Sequence, residues 1–218
     1  QLKLELFILA IIAIIARIFF LIHKITTGHS KYVTTKRQRS YKTIICIGSG
    51  GHTTEMLKLV EDLDFTKYSP RFYIMAYSDV TSASRVEELE RLKTGVTERT
   101  DYKIYRVPRS RVVKQPYFTS VFTTVFSIIY SIPIVIKIRP DLILCNGPGT
   151  CIPICILCFL LKTAFITDSK IVFIESFCRT KTFSLSGKIL TYFADNFIVQ
   201  WPSLKKKLKR SEYIGQLM

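Results

Sequence analysis

The sequence predicts an α/β protein: one doubly wound parallel sheet, preceded by a single transmembrane helix. Three observations carry this. Short apolar, strand-like runs alternate with helical patterns from Thr43 onward. The first such run ends in Gly48-Ser49-Gly50-Gly51, a glycine-rich turn between a strand and a helix. Ahead of it, Leu6 to Ile22 reads "LFILAIIAIIARIFFLI", 17 residues with one charge, Arg17.

That apolar run is at the short end of what spans a bilayer, about 17–25 residues. Arg17, near its C-terminal end, is placed to snorkel to the interface. A cleaved signal peptide would have a shorter apolar core followed by small residues. Instead "HKITTGHSKYVTTKRQRSYK" follows, with six Lys/Arg and no acid between Lys24 and Lys42. The positive-inside rule makes that side cytoplasmic. Residues 1–22 are therefore expected to be an anchor and 23–42 a basic cytosolic linker.

The elements follow in order. Thr43–Ile47 is a strand and His52–Glu61 a helix. Arg71–Tyr77 is a strand, and "TSASRVEELERLKTG" a polar surface helix ending at Gly95. Tyr102–Val107 is a strand, and Tyr117–Ile138 a long apolar helix stopped by Arg139-Pro140. Asp141–Cys145 is a strand, followed by the loop "NGPGT" and an apolar helix to Lys162. Lys170–Glu175 is a strand, Ser184–Phe193 a helix, and Asn196–Val199 the last strand. Trp201-Pro202 opens a final basic helix. Residues 43–202 make the Rossmann-like domain, and 203–218 a basic helix and a tail beyond the sheet.

Tyr117–Ile136 lacks any charge over 20 positions and is a second membrane candidate by length. Topology rejects a span: it would put the strand at Asp141 across the bilayer from the strand at Thr43. Ser120, Thr123, Thr124, Ser127 and Ser131 form one small polar stripe at helical spacing. A fully buried helix is the competing reading.

The chain is 48% hydrophobic, yet Lys+Arg outnumber Asp+Glu by 32 to 16. An apolar, basic chain suits a membrane surface or a phosphate-bearing ligand. Nucleic acid ranks low, because no zinc-finger spacing, aromatic RNP motif or basic heptad region is present. Cys151, Cys155 and Cys158 have an iron–sulfur-like spacing, but they lie in "CIPICILCFLL" and share one helix face. They read as packing residues. Disulfides are not expected in a cytosolic domain.

Ligands of open α/β sheets bind beyond the carboxyl ends of the strands, where "GSGGHTTE" sits. Bare backbone and a helix N-terminus there suit phosphate. A nicotinamide fingerprint fails: Thr53 takes the third glycine position, and Asp79 is 31 residues past Gly48. No Lys follows the glycines, so a P-loop fails too. A plain turn capped by Thr53 or Thr54 is the bland reading.

"GSGGHTTEML", "NGPGT", "FIESFCR" and "ADNFIVQWP" occur in this order. On these motifs the chain from Thr43 to Met218 resembles the membrane-anchored subunit of the two-chain N-acetylglucosaminyltransferase of asparagine-linked glycosylation. "GSGGH" is more distantly similar to the first glycine loop of the bacterial transferase that makes lipid II. The resemblance implies the acceptor half of a GT-B glycosyltransferase, active only with a cytosolic catalytic subunit that binds UDP-GlcNAc. The implied reaction passes GlcNAc to dolichyl-diphosphate-GlcNAc, giving dolichyl-diphosphate-chitobiose. The implied place is the endoplasmic reticulum membrane, single-pass, with a lumenal N-terminus and the domain on the cytosolic face. That thinner bilayer suits a short span. A second nucleotide-sugar domain needs about 150 residues, and only 19 follow Val199. UDP-GlcNAc is thus expected mainly on the partner chain, with no tightly bound cofactor and no metal ligands singled out. A pure membrane recruiter, with no residue in the active site, is the alternative.

Within this reading, Gly48, Ser49, Gly50, Gly51 and Thr53 cradle the acceptor diphosphate. His52 is the candidate general base, since imidazole titrates near operating pH; a phosphate or loop contact is its other reading. Asn146, Gly147, Gly149 and Thr150 either close over the acceptor or turn the chain around Pro148. Glu175 is the runner-up base. Arg179 faces the diphosphate or makes an ion pair. Glu55 is read as a helix cap first and an acceptor contact second. Arg106, Arg109, Arg111 and Lys114 suit anionic head groups. Tyr213, Ile214, Leu217 and Met218 are expected to dock the catalytic partner.

Overall fold

The computed structural model describes residues 1–30, 39–94, 101–112 and 115–216. Gly95, Lys114, Leu217, Met218 and linker residues 31–38 lie outside these. Seven strands are described: β1 (Thr43–Cys46), β2 (Arg71–Ala76), β3 (Tyr102–Val107), β4 (Leu142–Cys145), β5 (Lys170–Ile174), β6 (Asn196–Val199) and β7 (Glu212–Tyr213). They form one all-parallel sheet in the order β3-β2-β1-β4-β5-β6-β7. The helices are α1 (Leu2–Thr26), α2 (Gly51–Glu61), α3 (Thr81–Thr94), α4 (Tyr117–Ile138), α5 (Cys151–Thr163), α6 (Leu185–Leu190) and α7 (Pro202–Lys207).

Both faces of the sheet are covered, so its strands are apolar throughout. Ile45, Tyr73 and Met75 pack under α2 and α3 with Met56, Val60 and Val86. Ile44, Cys46, Ile143 and Phe173 pack on the other face against α4, α5 and α6. The strand order reverses direction between β1 and β4. That crevice is where an open α/β sheet receives its ligand.

α1 runs four residues past the expected anchor. Leu21 and Ile25 bury against Phe159 and Phe193. Arg17 does not simply snorkel. Its Nε donates to Thr163 O at 2.9 Å and its Nη2 to Lys162 O at 3.2 Å, satisfying the last carbonyls of α5. Its guanidinium also lies over the Phe165 ring, 3.3 Å from the centroid. Cys151, Cys155 and Cys158 are buried, free thiols in α5, as their helical face predicts.

α4 is an amphipathic helix turned inside out. Ser120, Ser127 and Ser131 are buried, while Phe118, Val121, Phe122, Val125, Phe126 and Ile129 are exposed. Ser127 Oγ donates to Pro108 O and Thr123 Oγ1 to Ser110 O, which ties the polar stripe to the β3–α4 loop. The fully buried reading therefore falls.

One expectation is corrected at the C-terminus. The tail does not lie beyond the sheet, because Tyr213 pairs with Val199 in β7. Two residues of edge strand are too few to give a period. Tyr213 and Ile214 nonetheless stay about half exposed.

Candidate functional site

The glycine loop joins β1 to α2. Gly50 is the N-cap of α2 at φ +63°, a conformation that favours glycine. A Cβ on Gly48 would stand 2.7 Å from His52 Cβ and 2.8 Å from Pro148 Cβ, so the two strand-end loops touch there. At Gly51 a Cβ would meet no atom within 4 Å. Gly51 is open to the crevice, and as the first residues of a helix Gly51 and His52 lack intrahelical acceptors for their N–H groups.

A cavity of about 730 Å³ opens here, lined among others by Gly51, His52, Glu55, Arg111, Gly147 and Arg179. A smaller one of about 200 Å³ adjoins it and shares His52, Arg111, Gly147 and Gly149. Ser49, Gly48, Arg109 and Thr150 line only the smaller one, with Gly147 at φ +101° between the two. Arg109 Nη2 donates to Ser49 Oγ at 3.3 Å. Arg111 donates to Gln115 O and stacks on Tyr117, leaving its guanidinium at the wall of both cavities. Three arginines, Arg109, Arg111 and Arg179, therefore line the two cavities, with Glu55 on the wall of the larger and Asp79 on the wall of the smaller.

His52 is half-buried, and its Nδ1 is buried without a hydrogen-bond partner among the described residues. Asn146 Nδ2 donates to His52 O at 2.7 Å and holds the start of α2 against the β4 loop. Asn146 is wholly buried and lies behind the cavity wall.

Thr53 departs from its expected place in the diphosphate cradle. Its side chain is buried and bonds Gly48 O and Ser82 Oγ, and its amide bonds Gly50 O. Both groups are spent inside the loop, so Thr53 braces the turn. Glu55 departs in the opposite direction. It caps nothing: Gly50 is the cap, and Glu55 is buried on the cavity wall. Its Oε1 accepts from Ser176 Oγ at 2.8 Å, and its buried Oε2 has no partner.

Glu175 ends fully buried, outside the cavity lining. Its carboxylate accepts from Ser176 N, Ser184 N and Ser184 Oγ. Burial pushes its pKa up, against these hydrogen bonds and the Arg179 charge, which act to lower it. Both oxygens are engaged by the loops on the cavity rim, a positioning geometry. Arg179 is exposed on that rim and free of ion pairs among the described residues.

Sequence reasoning missed Arg109 and Arg111 as site residues and took them for head-group contacts. The strand-end rule, applied to β3 as it was to β1, puts both in the same crevice. Ser176 and Ser184 carried no signal of their own.

Residues 43–217 match the family described as "Oligosaccharide biosynthesis protein Alg14 like". A Mus musculus protein described as UDP-N-acetylglucosamine transferase subunit ALG14 is 45% identical over 205 residues, 92% of this chain and 94% of that one. Its Schizosaccharomyces pombe counterpart is 42% identical over 214 residues, 96% of this chain and 97% of that one. The crystal structure of Acinetobacter baumannii MurG superposes with a TM-score of 0.53 at 10% identity, over 75% of this chain. This chain spans 42% of that one, and the likeness bears on the fold alone: a Rossmann-like domain of the GT-B type. With the family match extending over most of the sequence and relatives above 40% identity along nearly their whole length, the chain belongs to the Alg14-like family of oligosaccharide biosynthesis proteins.

Proposed function

We propose that this chain is the membrane-anchored, acceptor-binding subunit of a heteromeric N-acetylglucosaminyltransferase. The enzyme transfers GlcNAc from UDP-GlcNAc to dolichyl-diphosphate-GlcNAc at the cytosolic face of the endoplasmic reticulum. The chain also recruits the cytosolic, UDP-GlcNAc-binding partner. One observation carries the reading: a cavity at the sheet's switch point, floored by a helix N-terminus and walled by Arg111 and Arg179. Such a site suits a diphosphate. Its apolar surroundings suit a lipid acceptor, because the exposed face of α4 begins five residues after Val112 on the cavity rim. The names of the relatives supply the sugar nucleotide.

In this reading the acceptor diphosphate lies against Gly51, the His52 amide, Arg111 and Arg179. His52 takes the proton from the acceptor sugar hydroxyl. That oxygen bonds to the anomeric carbon of GlcNAc, the anomeric bond to UDP breaks, and UDP leaves on the partner chain. Asn146 and Glu175 position the loops, and Glu55 accepts a hydrogen bond from the acceptor sugar through Oε2. The partner docks on the exposed C-terminal edge around Tyr213 and Ile214, with Leu217 and Met218 beyond the described residues. No tightly bound cofactor enters this scheme.

The test is steady-state kinetics on the reconstituted pair, varying donor and acceptor separately. His52→Ala is expected to lower kcat about 10²–10⁴-fold with near-normal acceptor KM, the usual loss of a general base. A rise in acceptor KM alone makes His52 a phosphate ligand. Full activity of both His52→Ala and Gly51→Ala makes the chain a recruiter without a share in the active site.

A further inference from the structure

A separate cavity of about 160 Å³ lies between α1 and the opposite end of the sheet. It adjoins Lys170, which opens β5, whereas the glycine-loop site lies past Ile174 at the other end. About 13 Å of strand separates them. Arg17, Lys24, Lys162 and Lys170 line it, with Asp168 as the one carboxylate in its wall. Asp195 lies beneath, so four cations face two carboxylates and the formal charge is +2.

The cations are held in place. Asp195 sits 3.1 Å from Lys162 Nζ and 3.4 Å from Lys170 Nζ, and it also accepts from Ile171 N and Ser30 Oγ. Lys170 Nζ donates to Ser30 O as well, which pins the chain just after α1. Arg17 spends Nε and Nη2 on α5 carbonyls, and no bond from its Nη1 occurs among the described residues. Lys24 is half-buried and has no ion-pair partner among the described residues. Asp168 is 77% exposed and only 4.0 Å from Lys162, so it neutralises little of the cavity's charge. The volume holds about five water-sized groups, the size of a phosphate. Phe20, 59% exposed, and the apolar turns of α1 before it lead directly away from the cavity.

We propose that this cavity binds a phosphate group, carried by an anionic lipid beside the point where α1 leaves the bilayer. The headgroup takes Lys24, Lys170 and the free Nη1 of Arg17, and the acyl chains run along Phe20 and the exposed face of α1. The proposal rests on α1 lying in the membrane. It does not depend on transfer activity, and its readout is lipid retention.

The full chain is reconstituted into nanodiscs of phosphatidylcholine with phosphatidic acid of the same acyl composition. Retained lipids are then counted by native mass spectrometry. The native chain is expected to keep one phosphatidic acid in preference to phosphatidylcholine. Lys24→Gln removes one facing charge and is expected to weaken that preference about fivefold, with unchanged thermal stability because Lys24 holds no structural partner. A parallel arm adds inorganic phosphate to the native chain in neutral nanodiscs and follows its melting. Equal retention of the two lipids, or an undiminished preference in Lys24→Gln, overturns the proposal. Stabilisation by inorganic phosphate without any preference for phosphatidic acid assigns the cavity to a soluble anion and overturns the lipid source. A chain never recovered with nanodiscs overturns the anchor and this site together.

Discussion

Two neighbouring glycines separate folding from binding in the proposed site. At Gly48 an added methyl lands 2.7 Å from His52 Cβ and 2.8 Å from Pro148 Cβ. Neither neighbour is the free end of a flexible side chain, so the loops must part by roughly 1 Å to reach ordinary carbon contact. Overpacking of this kind costs about 1–3 kcal/mol. For a chain of this size that lowers Tm by roughly 2–12 °C. At Gly51 the methyl meets nothing within 4 Å, and φ is not in the left-handed region. Gly51→Ala is therefore expected to melt as the native chain does, or slightly above it, since alanine is the better helix former. It places carbon where the diphosphate should approach, so the acceptor KM rises while the UDP-GlcNAc KM stays. Differential scanning fluorimetry and kinetics of the reconstituted pair on both variants check this. A Gly48→Ala chain that melts like native refutes the contact between the two loops. A Gly51→Ala enzyme with unchanged acceptor KM refutes the diphosphate's approach to the start of α2.

Glu90→Ala leaves Arg71 buried without its bidentate partner and is expected to cost about 3–5 kcal/mol, read as a large fall in Tm. Burial raises the pKa of Glu175, so its folded form holds a proton more tightly than its unfolded form. Its contribution to stability is complete below the unfolded carboxylate range and is lost as pH rises through the folded pKa. The stability of the native chain relative to Glu175→Gln should therefore fall with rising pH in chemical denaturation, and a difference that grows instead reverses the assignment. Replacing Phe118, Phe122 and Phe126 by Ser should weaken vesicle binding of the chain with little change in Tm, because all three are exposed; binding equal to native denies α4 a membrane role. Truncation after Tyr213 keeps β7 and should abolish recovery of the proposed UDP-GlcNAc-binding partner in pull-downs, and retained recovery moves the proposed docking surface elsewhere.

The strand and helix runs of the domain were legible because buried parallel strands are continuous apolar runs punctuated by Gly and Pro. β7 was not, since Glu212–Tyr213 is an ordinary polar pair whose strand character comes only from lying beside β6. The glycine loop announced the site. What it did not announce is which side chains face inward. Thr53 and Glu55 are two residues apart on α2, and the first is consumed by Gly48 O while the second reaches Ser176, 121 residues on. No local pattern encodes that choice, because it depends on where α3 and the β5 loop arrive. The strand-end rule reaches Arg111 after β3, but which way its side chain faces is set by neighbours that come from four other strand ends.

The junction of Arg17 with the end of α5 changes what kind of attachment α1 provides. A domain on a slack tether samples all orientations, and a bound lipid must wait for the right one. Here the helix is bolted to the domain by Arg17, Leu21 and Ile25 before the chain continues. The domain keeps one bearing relative to α1, and with α1 in the bilayer the mouth of the crevice keeps a fixed heading and height. Spinning about the membrane normal is the rotation that remains. In the proposed function, an amphiphilic acceptor confined to the leaflet would then find its binding site by a two-dimensional search, with lateral diffusion rather than domain tumbling setting the encounter rate.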